Sequence, residues 1–165
     1  MQHAEKKYAV TSFEHIKRQL AATGAAPTKT DASMHYYAQQ PGNTVVKLVV
    51  YKDRSEIHIL DEQDGIFSLR EKIPVKDKNT GLQWLKDKGY VQVGLVKMAY
   101  TDYACQGGIV GLYTLNDAVY SVILDFPPGE HARLEKDMGL STAEVISVPY
   151  NKYLAERGRF EIIAL

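Results

Sequence analysis

The sequence predicts an α+β protein whose antiparallel strands, roughly eight, close or nearly close into a β-barrel enclosing a tunnel, with flanking helices. Three observations lead there. Seven or eight β-branched, alternating runs are packed into 165 residues. They come in blocks, whereas a doubly wound fold needs strand and helix to alternate one for one. A sheet with that many short strands curls or closes, which also protects its edges.

Residues 3–10 (HAEKKYAV) alternate charged with small or apolar side chains, and a strand's period of two puts His3, Glu5 and Lys7 on one polar face. Thr11 with Glu14 has capping-box spacing, and Phe13, Ile16 and Leu20 make an apolar stripe ended by Gly24, so a surface helix follows. Residues 25–43, rich in Ala, Thr, Pro and Gly, predict a loop with one short extended piece at Met34–Tyr37. Runs at 44–51, 55–60 and 66–73 then predict an antiparallel meander with turns at Asp53-Arg54 and Asp61–Gly65.

A second helix is expected at about 79–88, closed by Gly89. Strands at 90–99, 108–115 and 118–126 are separated by Gln106-Gly107-Gly108 and Asn116-Asp117. After Pro127-Pro128-Gly129 the pattern turns helical over Glu130–Met138. Ser141 with Glu144 suggests another capped helix, which Pro149 should break or kink. Tyr150, Tyr153 and Leu154 supply the apolar face of a last turn or two. No repeat or linker divides the chain, so residues 1–165 are read as a single domain.

Composition narrows the function. Twenty basic residues balance twenty acidic ones, so no overall positive field favours nucleic acid or an anionic membrane. Cys105 is the only cysteine, which excludes an internal disulfide framework and a cysteine-rich zinc site and fits a reducing, cytoplasmic compartment. No run approaches the roughly 18 apolar residues of a membrane span, and the opening residues lack the apolar core of a secretory signal. The histidines offer no zinc-protease pair, and no serine-hydrolase elbow, phosphate loop or dinucleotide turn is present at the required spacing.

What remains is a set of ionisable residues at alternating strand positions. His3, Glu5 and Lys7 share the first strand, and Lys47 interrupts the second. Glu56 and His58 alternate on the third, Arg70 and Lys72 on the fourth; Lys97 and Asp125 lie on later ones. If these faces point outward the charges are ordinary solvated side chains. Lys47 argues otherwise, because Val45, Val46, Leu48, Val49 and Val50 surround it. Inside a closed barrel several inward cations need a polyanion between them, and carboxylates at one end can hold a divalent cation that bridges to it.

Over most of its length the chain resembles the CYTH, or triphosphate tunnel metalloenzyme, superfamily, which includes class IV adenylyl cyclases, thiamine triphosphatases and inorganic triphosphatases. His3-Ala4-Glu5-Lys6-Lys7 stands where that family opens with Glu-x-Glu-x-Lys, and Tyr36-Tyr37 precedes the Lys47 strand as its tyrosine-containing strand does. Asp125, the segment Glu130–Lys136, Met138-Gly139 and Tyr150 to Leu154 follow the order of its closing region. The departures are His3 for the first glutamate, Ile123 and Asp125 at the late Glu-x-Glu, Lys47 alone for an Arg-x-Arg, and Ala99 in the Lys-x-Arg that keeps Lys97.

The resemblance implies an eight-stranded antiparallel barrel and metal-assisted chemistry at a phosphate. Glu5, Lys7 and Asp125 would be catalytic, with Glu5, Asp125 and His3 at a Mg2+ or Mn2+ ion. Lys7, Lys47, Glu56, His58, Arg70, Lys72 and Lys97 would bind the substrate, a small-molecule polyphosphate or nucleotide. The chemistry implied is triphosphate hydrolysis or adenylate cyclase-like cyclisation of ATP. Against this phosphohydrolase or cyclase stand a barrel that binds an anionic ligand without turnover, and an unrelated barrel whose charges face solvent. Trp84, Tyr150 and Tyr153 are expected to be packing anchors, and the oligomeric state is open between monomer and homodimer.

Overall fold

A computed structural model describes residues 2–165. In chain order the elements are β1 (Ala4–Val10), α1 (Glu14–Ala22), β2 (Pro27–Ala38), β3 (Val45–Val50), β4 (Ser55–Gln63), β5 (Ile66–Val75), α2 (Lys78–Asp87), β6 (Gln92–Cys105), β7 (Gly108–Leu115), β8 (Val119–Phe126), a 3-10 turn at Pro128–Glu130, α3 (His131–Asp137), β9 (Glu144–Val145), α4 (Tyr150–Ala155) and β10 (Glu161–Ala164). Neighbouring strands run β2-β3-β4-β5-β1-β8-β7-β6, and β6 pairs again with β2, so eight antiparallel strands close into a barrel. Among the described residues no helix is long and apolar enough to cross a membrane.

Three apolar clusters follow from alternation along the strands. One fills part of the lumen, joining Phe67, Val96, Met98 and Ile123 to Tyr150 and Leu154 of α4. The other two lie outside the barrel wall: Tyr8, Val122 and Leu124 under α1 and α3, and Leu48, Ile57 and Val93 under α2. Alternation therefore separates a lumen face from an outer face along the strands, and the helices cover part of the outer face.

One end of the barrel is splayed and plugged. β5 pairs with Glu5 and Lys6 of β1, whereas β9 takes over that edge at Tyr8 and Ala9. On β6, β7 pairs over Met98–Cys105 and β10 over Gln92–Leu95. α4 packs into this end through Tyr150, Tyr153 and Leu154, and the buried Tyr150 hydroxyl bonds the Ser121 hydroxyl at 2.7 Å.

Most expected elements form, including the β3–β5 meander, both strands after Gly107, and the Asn116-Asp117 turn, whose two residues have φ of 49° and 57° as a tight hairpin turn requires. Four expectations need correction. The 25–43 loop is largely β2, paired with β6 from Pro27 to Ala38; its outer half is exposed, so its polar composition concealed a strand. β6 runs on past residue 99 to Cys105. Residues 144–145 form β9 rather than a helix, and Pro149 caps the start of α4 instead of breaking one. The Thr11 capping box is replaced by Ser12, whose hydroxyl accepts from the Glu14 N–H at 3.1 Å.

Candidate active site

The barrel encloses a cavity of about 380 Å³. Five strands adjacent in the sheet each contribute one nitrogen-bearing side chain to its wall: His35 from β2, Lys47 from β3, His58 from β4, Lys72 from β5 and Lys7 from β1. Register explains the convergence, since Lys47 lies opposite His58 and His58 opposite Lys72. The opposite side is acidic. Glu5 of β1 is paired directly with Asp125 of β8; Asp102 on β6 is outside the cavity lining, and its pKa is raised mainly by burial, with the Asp125 and Glu5 charges adding to this and Lys29 opposing it.

Lys7 and Lys47 are the unusual members. Their residues are only 4% and 8% exposed, and among the described residues neither ammonium makes an ion pair with a carboxylate. Instead Lys7 Nζ sits over the rings of Phe67, at 4.1 Å from the centroid, and Tyr150, at 4.3 Å. Lys47 Nζ donates to the Tyr37 hydroxyl at 3.3 Å. Aromatic faces and a phenol hydroxyl stabilise a cation only in part. Burial accordingly lowers the pKa of both, that of Lys47 to about 7 with the Lys7 charge adding to the effect, while Glu5 opposes the change in each.

The imidazoles of His35 and His58 are kept uncharged. Burial, together with the fields of Lys47, His58 and Lys7, lowers His35 well below its ordinary value. Burial is also the main cause at His58, whose pKa falls to about 4 with Lys47 and Lys72 contributing, although its Nε2 lies 2.8 Å from Glu56 Oε2. Glu56 stands behind His58 rather than at the cavity wall. Desolvation pushes its pKa up, but hydrogen bonds from His58 and Arg54 outweigh that and hold it below the usual carboxylate range.

On the acidic side, burial and the Glu5 charge raise Asp125, while His3, with Nδ1 3.7 Å from Asp125 Oδ1, pulls it back down. Burial is the larger cause, and the neighbouring carboxylate adds to it. The two carboxylates opening onto the cavity, Glu5 and Asp125, form an oxygen-donor set suited to a hard divalent cation. Among the described residues no three His, Cys, Asp or Glu side chains are gathered into a complete protein-only ion site.

Of the residues singled out from sequence, His3, Glu5, Lys7, Lys47, His58, Lys72 and Asp125 line this cavity. Arg70 and Lys97 do not. On β5 the register steps from Leu60↔Leu69 to Ile59↔Glu71, leaving Arg70 as an extra bulge residue. The bulge breaks the period of two, so Lys72 reaches the cavity while Arg70 turns outward toward Asp61 at 3.5 Å. Lys97 is exposed between Val96 and Met98, both in the lumen cluster, so alternation sends it outward. Sequence reading missed His35 and Tyr113. Recognising β2 as a strand would have found the first, since His35 keeps the parity of Tyr37, which faces the lumen cluster.

No family model matches the chain, and no curated protein matches it in sequence. Solved structures do. A protein from Pyrococcus horikoshii, PH1012, has a TM-score of 0.78 at 20% identity, covering 91% of this chain and 98% of that one. A Vibrio parahaemolyticus protein, provisionally described as an adenylate cyclase, has a TM-score of 0.64 at 14% identity over 93% and 98% of the two chains. HpAC1 of Hippeastrum, a provisional adenylyl cyclase described as having a dominant triphosphatase activity, has a TM-score of 0.58 at 11% identity over 94% and 95%. These likenesses are of fold: the chain shares its closed antiparallel barrel with these proteins.

Proposed function

We propose that this protein binds a triphosphate-bearing small molecule together with Mg2+ or Mn2+ inside the barrel and hydrolyses it at the terminal phosphate. One observation carries the reading: Lys7 and Lys47 are buried, lack a carboxylate partner among the described residues, and face the same cavity as Glu5 and Asp125. Such cations are expensive unless an anion joins them, and a chain of phosphates supplies charge at several adjacent points.

In this reading Lys7, Lys47 and Lys72 hold and neutralise phosphate oxygens. Glu5 and Asp125 would hold the divalent ion, with water and phosphate oxygens completing its shell; His3 beside Asp125 is tolerable for Mn2+ and poor for Mg2+. When bound, that ion polarises the reacting phosphoryl group. Water attacks the terminal phosphorus as its bond to the bridging oxygen breaks, and the lysines stabilise the charge left on the departing diphosphate.

A second reading, ligand binding without turnover, is favoured by a specific feature. No arginine lines the cavity, and two of its six nitrogen-bearing side chains, His35 and His58, are uncharged near neutral pH. Purified protein with Mg2+ or Mn2+ and a panel of triphosphates, assayed for phosphate, pyrophosphate and cyclic nucleotide, separates the two. Release of phosphate that Asp125→Ala and Lys47→Ala abolish supports hydrolysis, and cyclic nucleotide would replace it with cyclisation. Thermal stabilisation by tripolyphosphate with no product supports binding alone. The absence of both product and stabilisation overturns both readings.

A further inference from the structure

Resting on the anion-binding reading above, we propose that His35 touches the bound polyphosphate directly, its Nδ1–H donating to a phosphate oxygen while Ser33 holds the ring in the required tautomer. His35 is 7% exposed and lines the cavity, yet its Nδ1 has no hydrogen-bond partner within the protein. Its other nitrogen, Nε2, lies 2.8 Å from the hydroxyl of Ser33, two residues earlier on the same face of β2 and itself buried. A buried imidazole nitrogen left unpaired is costly, so a cavity-lining ring held at Nε2 and without a partner at Nδ1 points to a ligand group.

The Ser33 hydroxyl is assigned as the donor at its contact with Nε2. If Ser33 donates its hydroxyl proton to Nε2, the ring proton resides on Nδ1, which is then a donor suited to an anion. The charges facing the ring are Lys47 and Lys7, with His58 and its Glu56 partner beyond. Another full positive charge among these would add repulsion. An uncharged N–H adds a hydrogen bond without it, which accounts for a histidine rather than a lysine at this place in the ring of nitrogen groups. The Tyr37 ring, stacked 6.2 Å away at 24°, restricts the imidazole's rotation.

The test uses the full chain and sodium tripolyphosphate, titrated calorimetrically with and without Mg2+. His35→Leu should weaken binding about tenfold or more. His35→Asn, whose amide nitrogen occupies the place of Nδ1, should retain most of the affinity, and Ser33→Ala should fall between. Long-range imidazole nitrogen spectra of the unaltered protein should show His35 as the Nδ1–H tautomer, with that resonance shifted by tripolyphosphate. This second readout needs no variant and stands if His35→Leu does not fold. If Lys47→Met weakens binding but His35→Leu binds like the parent, or the spectra show the Nε2–H tautomer, the His35 assignment alone is overturned. If the parent protein binds no tripolyphosphate, the anion-binding reading falls and the His35 contact falls with it.

Discussion

Glu5 and Asp125 are direct cross-strand partners on β1 and β8, two carboxylates projecting from adjacent strands into one cavity. Burial and the Glu5 charge raise the pKa of Asp125. A folded-state carboxyl raised above its unfolded value adds stability below the unfolded pKa and loses it as pH rises through the folded one.

Asp125→Asn should therefore stabilise the ligand-free protein once pH has risen through the raised folded-state value of Asp125. The gain should be small, about 0.5 kcal/mol, because solvent screens a group that is one-third exposed. Millimolar Mg2+ or Mn2+ should raise the melting temperature of the parent and leave that of Asp125→Asn nearly unchanged. Scanning calorimetry with and without the ion checks both; an equal shift in the two proteins would remove the carboxylate pair from ion binding.

Lys47 should make stability and affinity respond to pH in opposite directions. Unfolded, its ammonium keeps a proton up to about pH 10.5, whereas in the folded protein burial brings this down to about 7. The unfolded chain binds more protons through that window, so Lys47 costs stability at and below the lower value, and the cost disappears as pH rises. At its largest the cost is on the order of a few kcal/mol. Lys47→Met should flatten the pH dependence of stability between pH 7 and 10. Tripolyphosphate affinity of the parent should strengthen from pH 8 to 6 with proton uptake, and the variant should lose that uptake, as calorimetry in buffers of different ionisation enthalpy would reveal.

Arg70, Lys97 and Lys72 test the inward and outward assignments. Arg70→Ala and Lys97→Ala alter surface groups and should change stability by no more than about 0.5 kcal/mol, with polyphosphate binding unaffected. Lys72→Ala, two residues beyond the bulge, should weaken binding severalfold. Loss of binding in Arg70→Ala instead would mean that the bulge does not set which side chain enters the barrel.

The plug at the splayed end can be probed separately. Tyr150→Phe leaves the buried Ser121 hydroxyl without its 2.7 Å partner and should cost about 1–3 kcal/mol in chemical denaturation. The ring that faces the Lys7 ammonium is retained, so binding should change by less than about twofold. A variant that keeps its stability would show that the hydroxyl pair does not help hold α4 in the barrel end.

Local patterning along the chain was enough for the closed antiparallel barrel, the β3–β5 meander, the helices α1 to α3 and the burial of Lys47, because alternation and turn residues act over a few neighbouring positions. The inward faces of β1 and β8, with Glu5, Lys7 and Asp125, could be read the same way. Four features depended on distant partners. β2 is a strand because β6 runs beside it, although its own outer residues are polar. Arg70 faces out because one extra residue on β5 opposes β4. His35 becomes a site residue only where the closed sheet brings β2 to the cavity of Lys47 and Glu5. Residues 144–145 extend because β1 offers a free edge there. Pairing register and strand length are set by hydrogen bonds between segments far apart in the chain, so the choice of side chains facing the lumen was made by the closed sheet.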